Sequence, residues 1–181
     1  MEQNLYSEFQ ILPLTTRHKL NSFDSSNIDL NDFFINDALK YQEEMAGRTF
    51  LCCWKKDIAG YVTLVTDTLE VHAVDEKDRI DGYPYQKFPC IRIARLAVDR
   101  RFERKGVGRF LLSVAIGKAI SISNEIGCRY ITVDSKTESL GFYEKHNFKI
   151  VKKYMHSKYP KMYLDMYPIA TLMRSKESLE Y

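Results

Sequence analysis

The chain predicts a mixed α/β (α+β) fold: a central mixed β-sheet with helices on both faces. Three observations lead there. Segments with period-two apolar alternation stand beside segments whose apolar residues recur at steps of three and four. The two kinds follow one another in the order β-α-β-β-β-α-β-α-β-β, which builds a layered sheet-and-helix domain. One long helical segment, 105–127, is apolar almost all round and needs cover on most sides. The 181 residues, 45% of them hydrophobic and 28% charged, suit one globular domain over 1–181 with a sizeable core.

The elements follow in order. "QILPL" reads as a short first strand. "SSNIDLNDFFINDALKYQEEM" reads as a helix, with Ser26 and Asp29 in an S-x-x-D capping pattern. Its apolar face, Leu30, Phe33, Phe34, Ala38 and Tyr41, is interrupted by Asp37. "RTFLCCWKK" and "GYVTLVTDTLEV" are two strands joined by a tight turn around Lys56 and Asp57. Residues 72–90 are polar, contain Gly82, Pro84 and Pro89, and predict a long loop. "CIRIARLAVD" is a strand whose alternation slips between Ile93 and Leu96, as a β-bulge or a single mismatched residue would make it.

The helix at 105–127 leaves one polar stripe, Arg109, Ser113, Gly117 and Ser121, and Gly127 suits its C-terminal cap. "RYITVD" is a strand and "TESLGFYEKHNF" a short helix, with Asn147 placed to take a left-handed cap. "FKIVKKY" and "KMYLDMYPI" are two further strands. Residues 170–181 form a short helix or a tail.

Bulk properties limit the function. A net charge of +3 permits an anionic ligand without requiring a nucleic acid. Cys52, Cys53, Cys90 and Cys128 contain no C-x-x-C pair and read as reduced thiols of a cytoplasmic protein. No apolar run approaches the ~20 residues of a membrane span, and the N-terminus lacks the cationic start of a secretory signal.

The chemistry concentrates in "RRFERKGVGRF", residues 100–110. A strand, a glycine-containing turn and a helix start make a diphosphate cradle. The first amides of a helix lack internal acceptors, the helix dipole is positive there, and glycine admits close approach. Arg100, Arg101, Arg104, Lys105 and Arg109 add positive charge. The pattern is neither G-x-x-x-x-G-K-[ST] nor G-x-G-x-x-G. A capped turn with a solvated basic face fits the composition equally well. Further on, "GFYEKHNF" carries Tyr143, whose phenol can donate a proton at neutral pH.

Together, "RLAVDRRFERKGVGRFLL" and "SLGFYEKHNFK" resemble the GNAT superfamily of acetyl-CoA-dependent N-acetyltransferases. The resemblance implies a sheet of about six to seven strands, splayed at its central strands to open the cofactor slot. It implies that the backbone of Leu96, Ala97 and Val98 pairs with the pantetheine arm of acetyl-CoA. The amides of Arg104, Lys105, Gly106, Val107, Gly108 and Arg109 would then cradle the pyrophosphate. Val98 would polarise the thioester carbonyl, and Tyr143 would act as general acid toward the leaving thiolate. No metal is implied. Three positions depart from the family pattern: Glu103 where Gln or Arg is usual, Lys136 for Asn, and Asn147 for Gly. The central strand also lacks the Glu that often serves as base. Glu70 and His72 are the nearest candidates, with a solvated strand end as the other reading.

Phe23, Ser26, Leu30, Asn31, Phe33, Arg48, Thr49 and Phe50, with the R-L-A-V-D strand end, are also similar to the GNAT toxins that acetylate aminoacyl-tRNA. That likeness implies the α-amino group of an aminoacyl-tRNA as acceptor and an antitoxin as partner. Lys40, Arg48, Arg92, Arg95, Lys152, Lys153 and Lys158 are then candidates for an RNA-facing patch. A small-molecule, peptide or protein amine as acceptor, a non-catalytic acyl-CoA-binding regulator, and a homodimer all remain compatible with the sequence. The loop "KKYMHSKYPK" either touches substrate or covers the sheet edge.

Overall fold

The computed structural model describes residues 8–177. Seven strands form one sheet: β1 Phe9–Pro13, β2 Arg48–Trp54, β3 Asp57–Glu70, β4 Lys87–Val98, β5 Tyr130–Asp134, β6 Lys149–Ile150 and β7 Lys161–Asp165. Their order is β1-β2-β3-β4-β5-β7-β6. The helices are α1 Ile28–Asp32, α2 Ala38–Glu43, α3 Val107–Ser123, α4 Leu140–Glu144 and α5 Tyr167–Glu177. The result is a mixed α/β fold, and the chain order of the elements is the predicted one. Among the described residues, no helix is long and apolar enough to cross a membrane.

Two compact units contribute to the chain: residues 1–65 with 93–115, and residues 66–92 with 116–181. The first has a core built on Tyr61. Phe34 stacks on it at 4.3 Å, Phe23 meets it edge-on at 5.5 Å, and its hydroxyl donates to Leu30 O at 2.7 Å. Leu14, Leu51, Ile58 and Ala97 fill in around these rings. The second is built on Phe88, Tyr130 and Tyr163, with Leu69, Cys90 and Val151 around them. Its buried phenols reach polar partners, as such groups must: Tyr163 donates to Asp78 Oδ2 at 2.8 Å and Tyr130 to Asp78 O at 2.7 Å.

The first helical segment differs from expectation at two points. Its N-cap is Asn27, whose side chain accepts from the Leu30 amide at 3.1 Å, rather than Ser26. Ser25 is already engaged with the Asn31 side chain, its amide at 2.8 Å and its hydroxyl at 2.7 Å. A π-helical turn, Phe33–Asp37, joins α1 to α2, with the Ala38 amide reaching Phe33 O. The wider turn lets Phe33, Phe34 and Ala38 all face the core, which is how the helix absorbs the break that Asp37 makes in the apolar spacing.

Elsewhere the local signals shift by a few residues. The β2–β3 turn is Lys55–Lys56, since Trp54 pairs with Asp57, and Lys55 takes φ 55°. β4 starts at Lys87, so the preceding loop is shorter than 72–90 and holds two 3-10 turns. In β4 the buried positions change phase between Cys90 and Ile91, upstream of the predicted slip: Phe88 and Cys90 are buried, then Ile91, Ile93 and Ala97. A register shift lies between Cys52 and Cys53 of β2, which oppose Gly60 and Ile58 and leave Ala59 as the extra residue of β3.

All four residues of the α3 stripe, Arg109, Ser113, Gly117 and Ser121, are exposed. Gly127 does not cap that helix. α3 ends at Ser123, closed by Ser123 Oγ on Ile120 O at 2.6 Å, and Gly127 is not among the residues of positive φ. Asn147 does cap α4: its φ is 66° and the Phe148 amide returns to Tyr143 O at 3.1 Å. β6 shrinks to two residues, and α5 already begins at Tyr167.

Gly60 carries a steric demand that the sequence does not advertise. A Cβ there would lie 2.7 Å from Ala97 O, 2.8 Å from Leu111 Cδ1 and 3.2 Å from Val107 Cγ1. Only a bare backbone lets the end of β4 and the first turns of α3 close down on β3. Gly60→Ala is expected to lower stability by about 1–3 kcal/mol in urea unfolding, as overpacking does. Gly117 is the internal comparison: a Cβ on it meets nothing within 4 Å, and Gly117→Ala should raise stability by about 0.5–1 kcal/mol. Equal effects at the two positions would contradict this reading of Gly60.

Candidate acyl-transfer site

The end of β4, the turn after it and the first turns of α3 form one continuous segment of the first unit. At its root lies Asp99, 1% exposed. Its carboxylate accepts from the Arg101 amide at 3.0 Å, from Arg101 Nε at 2.9 Å, from Arg101 Nη2 at 3.0 Å and from the Asp24 amide at 3.2 Å. The Asp99 amide donates to Ala59 O at 3.0 Å, and Ser25 forms a β-bridge with Asp99. Burial pushes this carboxyl's pKa up. The hydrogen bonds from Arg101 and from the two amides outweigh that and hold it below the ordinary carboxylate range.

Most of the basic run is engaged within the turn itself. Arg101 is bound to Asp99 and also to Asp57 at 3.0 Å. The Arg100 amide donates to Asp24 O at 2.9 Å and its Nε to Ser25 O at 3.3 Å. Lys105 Nζ donates back to Arg101 O at 2.8 Å. The side chains of Arg104 and Arg109 are exposed and make no such contact with another described residue. So three of the five cations brace the turn itself, and Glu103 stands exposed beside them.

The backbone of the turn is specialised. Arg104 takes φ 57° and Gly106 φ 81°. The first intrahelical bond runs from the Phe110 amide to Gly106 O at 3.0 Å. Among the described residues no acceptor takes the amides of Arg104, Lys105, Gly106, Val107, Gly108 or Arg109. Consecutive unpartnered amides at the start of a 17-residue helix suit a diphosphate. Upstream, Leu96 and Val98 are half-buried and Ala97 is buried, with its carbonyl against Gly60.

Tyr143 belongs to the second unit. It sits on α4, 7% exposed, against Phe142 and Phe148 at 5.1 and 5.4 Å between ring centroids. Burial pushes its phenol above the ordinary tyrosine value, so it carries its proton throughout the neutral range. Glu70 and His72 pair at 3.0 Å, and Lys153 holds Glu70 from the other side at 3.1 Å. The hydrogen bond from Lys153 keeps the Glu70 carboxyl below its ordinary pKa, which makes it a weaker base. The structure thus favours the strand-end reading of this pair.

Of the candidate RNA-facing cations, Arg92 pairs with Asp134 at 3.0 Å and Arg95 lies 4.9 Å over the Phe33 ring, while Lys40, Arg48, Lys152 and Lys158 are exposed. Among the described residues no group of three or more His, Cys, Asp or Glu could hold a metal. Sequence reasoning missed Gly60 and the bracing role of Asp99. The second was signalled only by an acid ending an apolar strand, next to arginine.

Asp99→Asn is expected to lower stability at pH 7 by about 1–3 kcal/mol, because Arg101 loses its charged acceptor. The folded pKa lies below the unfolded one, so the contribution is complete above about 3.9 and is lost as pH falls through the folded value. The gap between wild type and variant in urea unfolding should therefore close in acid. A gap that stays constant down to pH 2 would contradict the assignment.

Comparison with known proteins fits this geometry. Residues 14–148 match the model of the acetyltransferase (GNAT) family. A tRNA-acetylating toxin of Mycobacterium tuberculosis is 32% identical over 130 residues, 71% of this chain and 77% of the relative. The solved structure of AtaT complexed with acetyl-methionyl-tRNAfMet aligns with a TM-score of 0.82 at 22% identity, over 91% of this chain and 99% of that one. A tyrosine-to-phenylalanine mutant of AtaT, bound to the C-terminus of the antitoxin AtaR and acetyl-CoA, aligns with a TM-score of 0.75 at 20% identity, over 91% and 97%. The chain belongs to the GNAT family of acetyltransferases.

Proposed function

We propose that this acetyltransferase moves the acetyl group of acetyl-CoA to the α-amino group of an aminoacyl-tRNA. The observation that carries the cofactor site is the run of unpartnered amides from Arg104 to Arg109, opened by Gly106 at φ 81°. The acceptor rests on the 32% identical relative, which is a tRNA-acetylating toxin. The chain is read as one N-acetyltransferase domain, in which β3 and β4 supply residues to both compact units. Four buried free cysteines suit a reducing cytoplasm. An antitoxin is the natural protein partner of a toxin of this kind.

When bound, acetyl-CoA supplies the activated acetyl thioester. The residues of this chain bind it, orient it and manage one proton. The amides of residues 104–109 hold the pyrophosphate, with Arg104 and Arg109 as the side chains free to add charge. The backbone of Leu96, Ala97 and Val98 aligns the pantetheine arm, and the Val98 amide polarises the carbonyl. Tyr143 would deliver the proton on its Oη to the coenzyme sulfur, and the proton shed by the attacking nitrogen would restore the phenol through solvent. A strong base is not required. An α-amino group titrates near ~8 in its ordinary state, so part of it is neutral at physiological pH. That agrees with a central strand without Glu and with a Glu70 carboxylate tied to Lys153.

Three measurements test this reading. Incubating the protein with labelled acetyl-CoA and charged tRNAs should give N-acetyl-aminoacyl-tRNA by mass spectrometry; acetylation of other amines with none of tRNA would reject the acceptor. Tyr143→Phe should lower turnover about 10²–10⁴-fold with little change in acetyl-CoA affinity; unchanged turnover would remove its role as acid. Gly106→Glu introduces charge and a side chain at a left-handed position and should abolish calorimetric acetyl-CoA binding. Unchanged affinity would remove the diphosphate from this turn.

A further inference from the structure

Between β6 and β7 the chain forms a small anchored knuckle, residues 151–160. Its two ends are fixed. Val151 is fully buried and its amide donates to Lys161 O at 2.9 Å, while buried Pro160 accepts from the Ser135 amide at 2.9 Å. Inside it, the Tyr154 amide returns to Val151 O at 2.8 Å and the Ser157 amide to Tyr154 O at 3.0 Å. On this scaffold, residues 155–159 are all exposed, with Met155 at 48% and Tyr159 at 43%.

The exposed chemistry is of one kind. The segment contains Lys152, Lys153 and Lys158 and no acid. Lys153 is neutralised by Glu70, which leaves Lys152 and Lys158 as the cations directed to solvent. Lys158 Nζ lies 5.3 Å from the centroid of the Tyr159 ring, so charge and aromatic surface are presented together. A large ring left in water on an ordered turn is an open stacking surface. Flat aromatic surface interleaved with cations is the chemistry that takes unpaired nucleotides: rings stack on bases and ammonium groups meet phosphates. An acidic peptide would use the lysines but would not need the ring.

From these observations we infer that the 152–159 knuckle is a stacking platform for unpaired nucleotides of the acceptor RNA, with Tyr159 meeting a base and Lys152 and Lys158 the flanking phosphates. The inference rests on the aminoacyl-tRNA reading and assigns it a contact surface. The platform binds substrate and takes no part in the chemical step.

The test compares two acceptors, a full aminoacyl-tRNA and an aminoacyl ester of adenosine alone, with Tyr159→Ala, Tyr159→Phe and Lys158→Ala. Thermal unfolding of each variant verifies that it is folded. Tyr159→Ala should raise KM for the charged tRNA roughly tenfold, as loss of one stacked base does, with kcat unchanged. It should leave the kinetics of the adenosine ester as in wild type. Tyr159→Phe keeps the ring and should keep the wild-type KM. Lys158→Ala should weaken tRNA binding and reduce the slope of log affinity against log salt by roughly 0.7–0.9. If Tyr159→Ala leaves the tRNA KM unchanged, or raises it equally for both acceptors, the platform is overturned while the acceptor reading stands. If the wild-type protein acetylates neither acceptor, both fall.

Discussion

The carboxylate of Asp99 is the constraint on which the rest of this molecule turns. It closes an apolar strand with a buried charge, and a buried charge must be met by donors. Two amides and one edge of the Arg101 guanidinium, its Nε and Nη2, meet it. The chain after β4 is thereby locked into a 3-10 turn, and the segment before α1 is tied to the same point through Asp24 and Ser25. Because Arg101 and Arg100 serve that lock, the run that looks most like an anion patch is largely an internal brace. What the turn leaves available is backbone: six amides, shaped by Arg104 and Gly106 in left-handed conformations.

The lock works together with a close approach. Gly60 lets the Ala97 carbonyl and the first turns of α3 come within a distance that no side chain on β3 tolerates. The extra residue at Ala59 turns a carbonyl toward the Asp99 amide. The strand, the turn and the helix start are therefore held together by hydrogen bonds and close packing. In the second unit, burial keeps the Tyr143 phenol protonated and leaves it no role as a base. The same fold that holds the Glu70 carboxyl below its ordinary pKa thus keeps the Tyr143 phenol protonated.

Much of this was legible beforehand. Period-two and period-3.6 patterns reported the strand and helix order and the exposed stripe of α3, and asparagine's tolerance of positive φ reported the Asn147 cap. The strand, glycine turn and helix marked the turn now proposed for the diphosphate, and "GFYEKHNF" marked Tyr143, now proposed as the acid. The misreadings share a cause. Ser26 lost the cap to Asn27 because Ser25 and Asn31 had already formed a local pair. Gly127 lost its cap because Ser123 closed α3 earlier. The phase change in β4 moved to Cys90–Ile91 because alternation along one strand does not show which of its residues the neighbouring elements will bury. Each was a contest between adjacent candidates of similar local preference.

Local patterns thus reached as far as forces that act within a few residues: propensity, periodicity, and the chemistry of a turn. They identified the class of fold and the segments of the proposed site. Which of five neighbouring cations are free was a different kind of question. Asp99, Asp57 and Asp24 reach Arg100 and Arg101 only once distant strands have come together, and Gly60 matters only because Ala97 and Leu111 arrive against it. Electrostatic pairing and steric exclusion act through space over a few ångströms, irrespective of separation along the chain, so tertiary structure alone decided them.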